Sequence, residues 1–347
     1  RDSYQELLDF DGDEIYALKI PDRWVGHSYG ELLLGSSNAT IIGIRFANGA
    51  TTINPAMNVV LQPGDFAVGI AEDDSTFVLD REPVTWQAPL QPREHASERA
   101  RERTLIIGWS ELAPLIATEI DSHVAPESEL HILFSPEQHR PDAIREAISL
   151  STQALVLHEG DTIARADLAQ VLNAGPFDHI MLLCEREQYS VDAADARTLL
   201  TLMHVRELAN QAQGTQNIVA ELLDPHDVEL GVSSSESDFI VSQKLISLLI
   251  SQLAESPQLV DVFEDLFDTG GAIISLHPTS HYMSAGETTF ESVVTAAREW
   301  GVTAIGVVSQ STANDAGTLG GGIRVNPPKT QLLELASDDK VIVITRA

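Results

Sequence analysis

Between residues 103 and 276, short apolar runs alternate with longer amphipathic stretches, and few folds accept that rhythm. The runs at 105–108, 130–134, 155–158, 179–183 and 217–222 are apolar along most of their length, as strands covered on both faces must be. Helical periods at 111–120, 142–150, 165–172 and 194–211 separate them. A βαβα order of this kind predicts an α/β fold, a Rossmann-like doubly wound parallel sheet. A helix is predicted next, over 238–254. Phe239, Val241, Leu245, Ile246, Leu248, Leu249, Ile250 and Leu253 make it apolar round most of its girth, so it needs a buried place or a partner. Ser235 with Asp238 is a weak capping box for its start. Pro257 restarts a helix that runs to about residue 267.

The flanks read differently. Residues 1–80 and 271–347 hold short strand patterns bounded by turn residues, with one predicted short helix at 28–34 capped by Ser28 and Glu31. The two flanks also repeat one another. Gly26–Glu31 matches Gly286–Glu291, Thr40–Ile44 matches Thr303–Val307, Ile53-Asn-Pro55 matches Val325-Asn-Pro327, and Asp65–Ile70 matches Asp339–Ile344. Ordered matches whose offset drifts one way point to a duplicated lobe. Residues 81–102, with Pro83, Pro89 and Pro92 among mixed charges, read as a linker. The expected layout is therefore 1–80, a linker at 81–102, a Rossmann-like region at 103–270 and a second lobe at 271–347.

Charge narrows the partners. The net charge of −31 excludes a protein that grips nucleic acid through its phosphates, and it disfavours docking on an anionic bilayer. One cysteine, Cys184, leaves no intrachain disulfide and no multi-cysteine zinc site, and fits a reducing compartment. No run of 18 apolar residues is present to span a bilayer. The chain opens on Arg1 rather than Met, so it is expected to be a piece of a longer protein. A lobe that recurs after a Rossmann unit suggests that the first lobe also follows one, upstream of Arg1.

The place to look for a cofactor is the loop after the first parallel strand, Gly108-Trp-Ser-Glu-Leu-Ala-Pro114. A dinucleotide fingerprint needs three glycines there, and only Gly108 is present. Trp109 and Glu111 fill the phosphate position, and Glu111 would repel an anion. Beyond the second strand, Glu137 is a poor ribose ligand. Gly108, Trp109, Ser110 and Glu137 are thus the cofactor-binding candidates of a degenerate loop expected to be empty, and NAD is not expected. Acid clusters are the metal candidates. Asp9, Asp11, Asp13 and Glu14 resemble the start of a calcium loop. An EF-hand would need Gly where Glu14 stands and Glu where Ile20 stands, which leaves only an irregular oxygen site. Glu72, Asp73 and Asp74 form a second cluster, and Glu264, Asp265 and Asp268 a third. Closely spaced carboxylates repel, and a divalent ion relieves the repulsion. A solvated face of a very acidic chain explains each cluster equally well. His277 and His281 are four apart but flank Pro278, so a helical metal pair is not expected, and no nucleophile elbow or P-loop is present. No catalytic residue is expected.

Several of these segments resemble one family. Asn217-Ile-Val-Ala-Glu-Leu-Leu-Asp-Pro225, the run from Ser237 to Ile246, Val262–Phe267, Leu105–Trp109 and Gly64–Asp74 are similar to stretches of the CASTOR/POLLUX-type ion channels. This resemblance implies tandem RCK domains, the modules that regulate cation conductance. Residues 1–80 would be the C-lobe of a first RCK domain, 103–270 the N-lobe of the second with its crossover helices, and 271–347 its C-lobe. It also implies a transmembrane pore N-terminal to them in the parent chain, a homotetrameric gating ring at the cytoplasmic face of the membrane, and calcium as the expected ligand. Two other readings stand beside it. One is a soluble nucleotide-binding regulatory subunit of a separate cation transporter. The other is an NAD-dependent oxidoreductase, which rests on the sheet pattern alone.

Overall fold

The computed structural model describes residues 13–86, 101–211, 217–227, 237–256, 259–267, 271–309 and 322–346. They fall into two compact units, residues 96–247 and residues 2–95 together with 248–347.

The first flank folds as a four-stranded antiparallel sheet. Its strands are β1 (Glu14–Lys19), β2 (Thr40–Arg45), β3 (Thr51–Ile53) and β4 (Phe66–Ala71), in the order β1-β4-β2-β3. A helical turn, Tyr29–Leu32, connects β1 to β2. Its capping box is complete: the Ser28 hydroxyl accepts from the Glu31 amide, and the Glu31 carboxylate accepts from the Ser28 amide. The helix predicted over 28–34 is thus four residues long.

The middle of the chain is a six-stranded, wholly parallel sheet. Its strands are β5 (Arg103–Ile107), β6 (Glu129–Phe134), β7 (Ala154–Glu159), β8 (His179–Leu182), β9 (Asn217–Leu222) and β10 (Ser237–Val241). The order β10-β9-β8-β5-β6-β7 is that of a doubly wound Rossmann sheet. Helices Ala113–His123, Pro141–Ala147, Arg165–Leu172 and Val191–Gln211 connect the strands. The sixth strand corrects the sequence reading. Residues 238–241, assigned above to a helix, pair with β9, and the helix starts at Ser242 and runs to Glu255. The proposed cap Ser235 lies outside the described residues.

The second flank repeats the first. Strands β11 (Ala272–Pro278), β13 (Thr303–Val308), β14 (Ile323–Val325) and β16 (Lys340–Arg346) lie in the order β11-β16-β13-β14, the same order as in the first lobe. β12 (Gly286–Thr289) and β15 (Leu332–Leu335) form a small side ribbon. The duplication reaches the bulges: β2 slips register against β4 between Ile41 and Gly43, and β13 slips against β16 between Ala304 and Gly306. The helix caps move one match by a residue. Ser28 and Thr289 are the equivalent caps, so the helix Phe290–Arg298 is offset from Tyr29–Leu32 by one position more than the glycine match had implied.

The two lobes share one apolar core, in which Trp24, Tyr29, Leu32, Ile41, Phe290 and Val343 are almost wholly buried. The start of the segment read as a linker is held against them. The Arg81 amide donates to Gly35 O, and the indole of Trp86 donates to Glu299 and lies under the Arg298 guanidinium.

Candidate functional site

In a doubly wound sheet, ligands bind beyond the strand C-termini where the order reverses, here between β5 and β8. β5 runs into Gly108, which has φ +92° and donates its N–H to Leu133 O. A Cβ built on Gly108 would come within 2.6 Å of the Leu183 carbonyl oxygen. The glycine is therefore required by the close approach of the β5 and β8 ends. We expect Gly108→Ala to destabilise this unit by roughly 2–3 kcal/mol, through the positive φ and the clash together. Urea unfolding followed by the fluorescence of Trp109, whose environment is this loop, would read the loss.

A buried pair fills the crevice itself. Glu185 follows β8 and is 4% exposed. Its carboxylate accepts from Arg197 Nε at 3.3 Å and from the Thr162 hydroxyl at 3.4 Å. Burial pushes the Glu185 carboxyl above the usual carboxylate range; Arg197 and Thr162 pull it back, and Asp161 raises it again. Arg197 also reaches Asp161 and lies over the Tyr189 ring, 4.5 Å from its centroid. Beside them is a cavity of about 10 Å³, lined by Gly108, Leu183, Glu185, Arg197 and Thr198 among others, which has room for about one water. The Glu185 side chain thus lies beside Gly108 in the crevice.

The sequence candidates around this crevice are placed as follows. Ser110 is buried and its hydroxyl accepts from the Leu112 amide, Trp109 is half-buried against His139, and Glu137 is exposed. The residues that sequence reasoning missed are Glu185 and Arg197. The available signal was the acid directly after an apolar strand, at the C-terminal edge where ligands sit.

Two further carboxylates missed in the sequence tie down the neighbouring strand ends. Asp195, in the helix Val191–Gln211, accepts from the Leu223 and Asp224 amides and from Cys184 Sγ. Glu221 accepts from the Cys184 amide, from Arg186 and from the Ser242 hydroxyl. The Cys184 thiol is pushed up to about 12, first by burial and then by Asp195, so it is an inert core group.

The acidic candidates meet only in part. Because β1 pairs with β4, Glu14 opposite Ala71, the stretches at 13–14 and 72–74 come to one end of one sheet. Burial raises the Asp13 carboxyl; a hydrogen bond from Asn326 opposes this, and the charge of Glu72 adds to it. Glu14 accepts from the Tyr16 hydroxyl, and Asp73 accepts from the Ser75 amide. Asp74 follows in the same exposed turn. Asp9 and Asp11 lie outside the described residues, as does Asp268. Asp265 accepts from the Ile53 amide and from Arg346, a structural tie between β3 and β16. Among the described residues no group of three or more His, Cys, Asp or Glu is placed to hold a metal ion. Also among them, no helix is long and apolar enough to cross a membrane.

Comparison with known proteins agrees with the resemblance read from sequence. A family model described as Castor and Pollux, part of voltage-gated ion channel, matches residues 2–85. The ion channel CASTOR of Lotus japonicus is 29% identical over 319 residues, 82% of this chain and 37% of that protein. The probable ion channel POLLUX of Oryza sativa subsp. japonica is 26% identical over an alignment of 381 residues, 99% of this chain and 38% of that protein. The chain thus spans a little over a third of the length of these relatives. Among solved structures, that of the human SLO3 gating ring aligns with all of this chain and 69% of its own, at a TM-score of 0.64 and 12% identity. That likeness establishes a gating-ring type of fold and nothing further.

Proposed function

We propose that this chain, related in sequence to the CASTOR and POLLUX ion channels and in fold to a channel gating ring, is the ligand-sensing module that regulates a cation channel. One observation carries the reading. Two lobes with the same sheet order share a core, and the chain also carries a Rossmann sheet whose ligand crevice is closed by Glu185 and Arg197. Glu185, Arg197 and Thr162 in that crevice are bonded to one another, which supports a module that works by changing shape. In this reading residues 1–80 are the C-lobe of a first RCK domain, 103–270 the N-lobe of a second, and 271–347 its C-lobe. Four copies form a ring on the cytoplasmic side of a pore carried N-terminally by the parent chain. A ligand that favours one ring geometry shifts the pore by at most its differential affinity, typically 1–3 kcal/mol per coupled site.

Calcium is the ligand proposed. The support is the chain's large acid excess and the crowding of Asp13 by Glu72, which a divalent ion would relieve. Calorimetric titration of the purified chain with CaCl₂ tests it. Saturable heat and a raised thermal midpoint are expected. Silence in both across the millimolar range would remove calcium. Loss of conductance control after deletion of this region from the parent channel tests the module itself.

A further inference from the structure

The pairing of the two lobes repeats its threonine–asparagine bonds on both sides, and the groups around those bonds differ. Thr303 Oγ1 donates to Asn54 Oδ1 at 2.8 Å, and its counterpart Thr40 Oγ1 donates to Asn326 Oδ1 at 2.8 Å. On the first side the Tyr29 hydroxyl lies 2.9 Å from the Thr303 hydroxyl. On the other side the residue equivalent to Tyr29 is Phe290, which has no hydroxyl to offer. The polar role passes to Lys329, whose own counterpart in the first lobe is Met57. Lys329 is 1% exposed, and its Nζ donates to Ala39 O and to Thr40 Oγ1, both at 3.2 Å, above the Phe290 ring. A buried amine therefore stands where symmetry would place a phenol hydroxyl.

We propose that this junction is a proton-sensing site, with the Lys329 amine as the group that gains and loses the proton. Its two acceptors are neutral, and among the described residues no carboxylate lies within ion-pair distance of Nζ. A neutral amine has two N–H groups, and Ala39 and Thr40 take both. An ammonium carries a third N–H and a full charge into a site that offers it only the face of Phe290. The charged groups on the surrounding elements do little to help. Arg81 and Glu291 pair with each other at 2.8 Å, Asp80 is bonded to the Ser37 amide, Arg298 donates to Gly30 O, and Asp13 lies beyond Asn326. Burial is the main cause that brings Lys329 down to about 7; Arg81 adds to it and Glu291 opposes it.

The direction follows from linkage. A lysine in the unfolded chain titrates near 10.4, so between about 7 and 10 the unfolded chain holds the extra proton and the folded one does not. Stability conferred at the junction therefore rises with pH across that window and is flat below it. The lobes grip more tightly in the alkaline state.

The chain has only four lysines, Lys19, Lys244, Lys329 and Lys340, so ¹³Cε-lysine labelling gives a spectrum simple enough to follow by NMR. One resonance is expected to titrate near neutrality and to vanish in Lys329→Met, the residue that the first lobe carries here. Titration of all four above pH 9.5 overturns the proposal. Thermal melts supply a second readout: from pH 7.5 to 9.5 the midpoint of the native chain is expected to rise by about 5 °C relative to Lys329→Met. Equal pH slopes in the two proteins also overturn it. Neither measurement requires a pore, so a titrating lysine without any proton effect on conductance would count against the gating-module reading and leave the site standing.

Discussion

Replacement of Asp195 by Ala is expected to cost the parallel-sheet unit about 4 kcal/mol. The carboxylate is fully buried, and it takes the backbone N–H groups of Leu223 at 2.9 Å and Asp224 at 2.8 Å. Those amides lie just past the end of β9, in one of the segments that resemble the channel family. Without the carboxylate the buried Leu223 donor and the half-buried Asp224 donor lose their partner, and an orphaned buried donor costs roughly 1–3 kcal/mol. The Cys184 thiol loses its bond to Asp195 Oδ1 too. Asp195→Asn keeps one acceptor oxygen and is expected to lose less than half as much. Because the chain has two compact units, a single global melt would blur the result. Hydrogen exchange of the β8 and β9 amides resolves it: protection there should collapse in the Ala variant, while β2 and β13 stay protected. Unchanged exchange in β8 and β9 would mean that Asp195 is dispensable.

The parallel strands were legible because burial on both faces leaves them apolar throughout, as in Leu105–Ile107 and Leu130–Phe134. β10 was not legible for the same physical reason in reverse. Phe239, Ile240 and Val241 run without a breaker into the helix Ser242–Glu255, and a short apolar run carries no period that separates strand from helix. The lobe duplication could be read from Thr40 and Thr303 and from Asn54 and Asn326, since these residues make the same bonds in both copies. The crevice pair was legible only in part. Glu185 carried the signal of an acid after an apolar strand, but Arg197 lies a turn and nearly two helical turns further on, and nothing local marks it as the partner of that acid. Lys329 is the extreme case: after Pro327 and Pro328 it looks like a loop lysine, and only the opposite lobe makes it a core residue.

The duplicated asparagines give a prediction of comparable size. Asn54 and Asn326 both have positive φ, 45° and 50°, in a region that asparagine tolerates better than alanine does. Each donates its own N–H to the equivalent strand carbonyl, Asn54 to Ile42 O and Asn326 to Ile305 O, both at 2.8 Å. The side-chain amides also match: Asn54 Nδ2 donates to Gly301 O at 3.3 Å and Asn326 Nδ2 to Asn38 O at 3.2 Å. Alanine at either position keeps the backbone strain and loses the side-chain bonds, these two at Asn54 and, at Asn326, a third from Nδ2 to Asp13 as well, for an expected loss of about 3 kcal/mol each. Glycine relieves the strain and is expected to recover roughly 1 kcal/mol of it. The two alanine variants should also differ at the hydroxyl that each leaves behind. Thr303, left behind by Asn54→Ala, faces a tyrosine hydroxyl with no charge to respond. Thr40, left behind by Asn326→Ala, faces the Lys329 amine, and its O–H, no longer spent on Asn326, becomes free to donate to the lone pair of the neutral amine. That favours the neutral amine, so Asn326→Ala is expected to move the lysine titration downward and Asn54→Ala to leave it in place. Equal losses in stability with an unmoved lysine in both variants would show that the duplicated contacts hold the lobes together without setting the proton affinity between them.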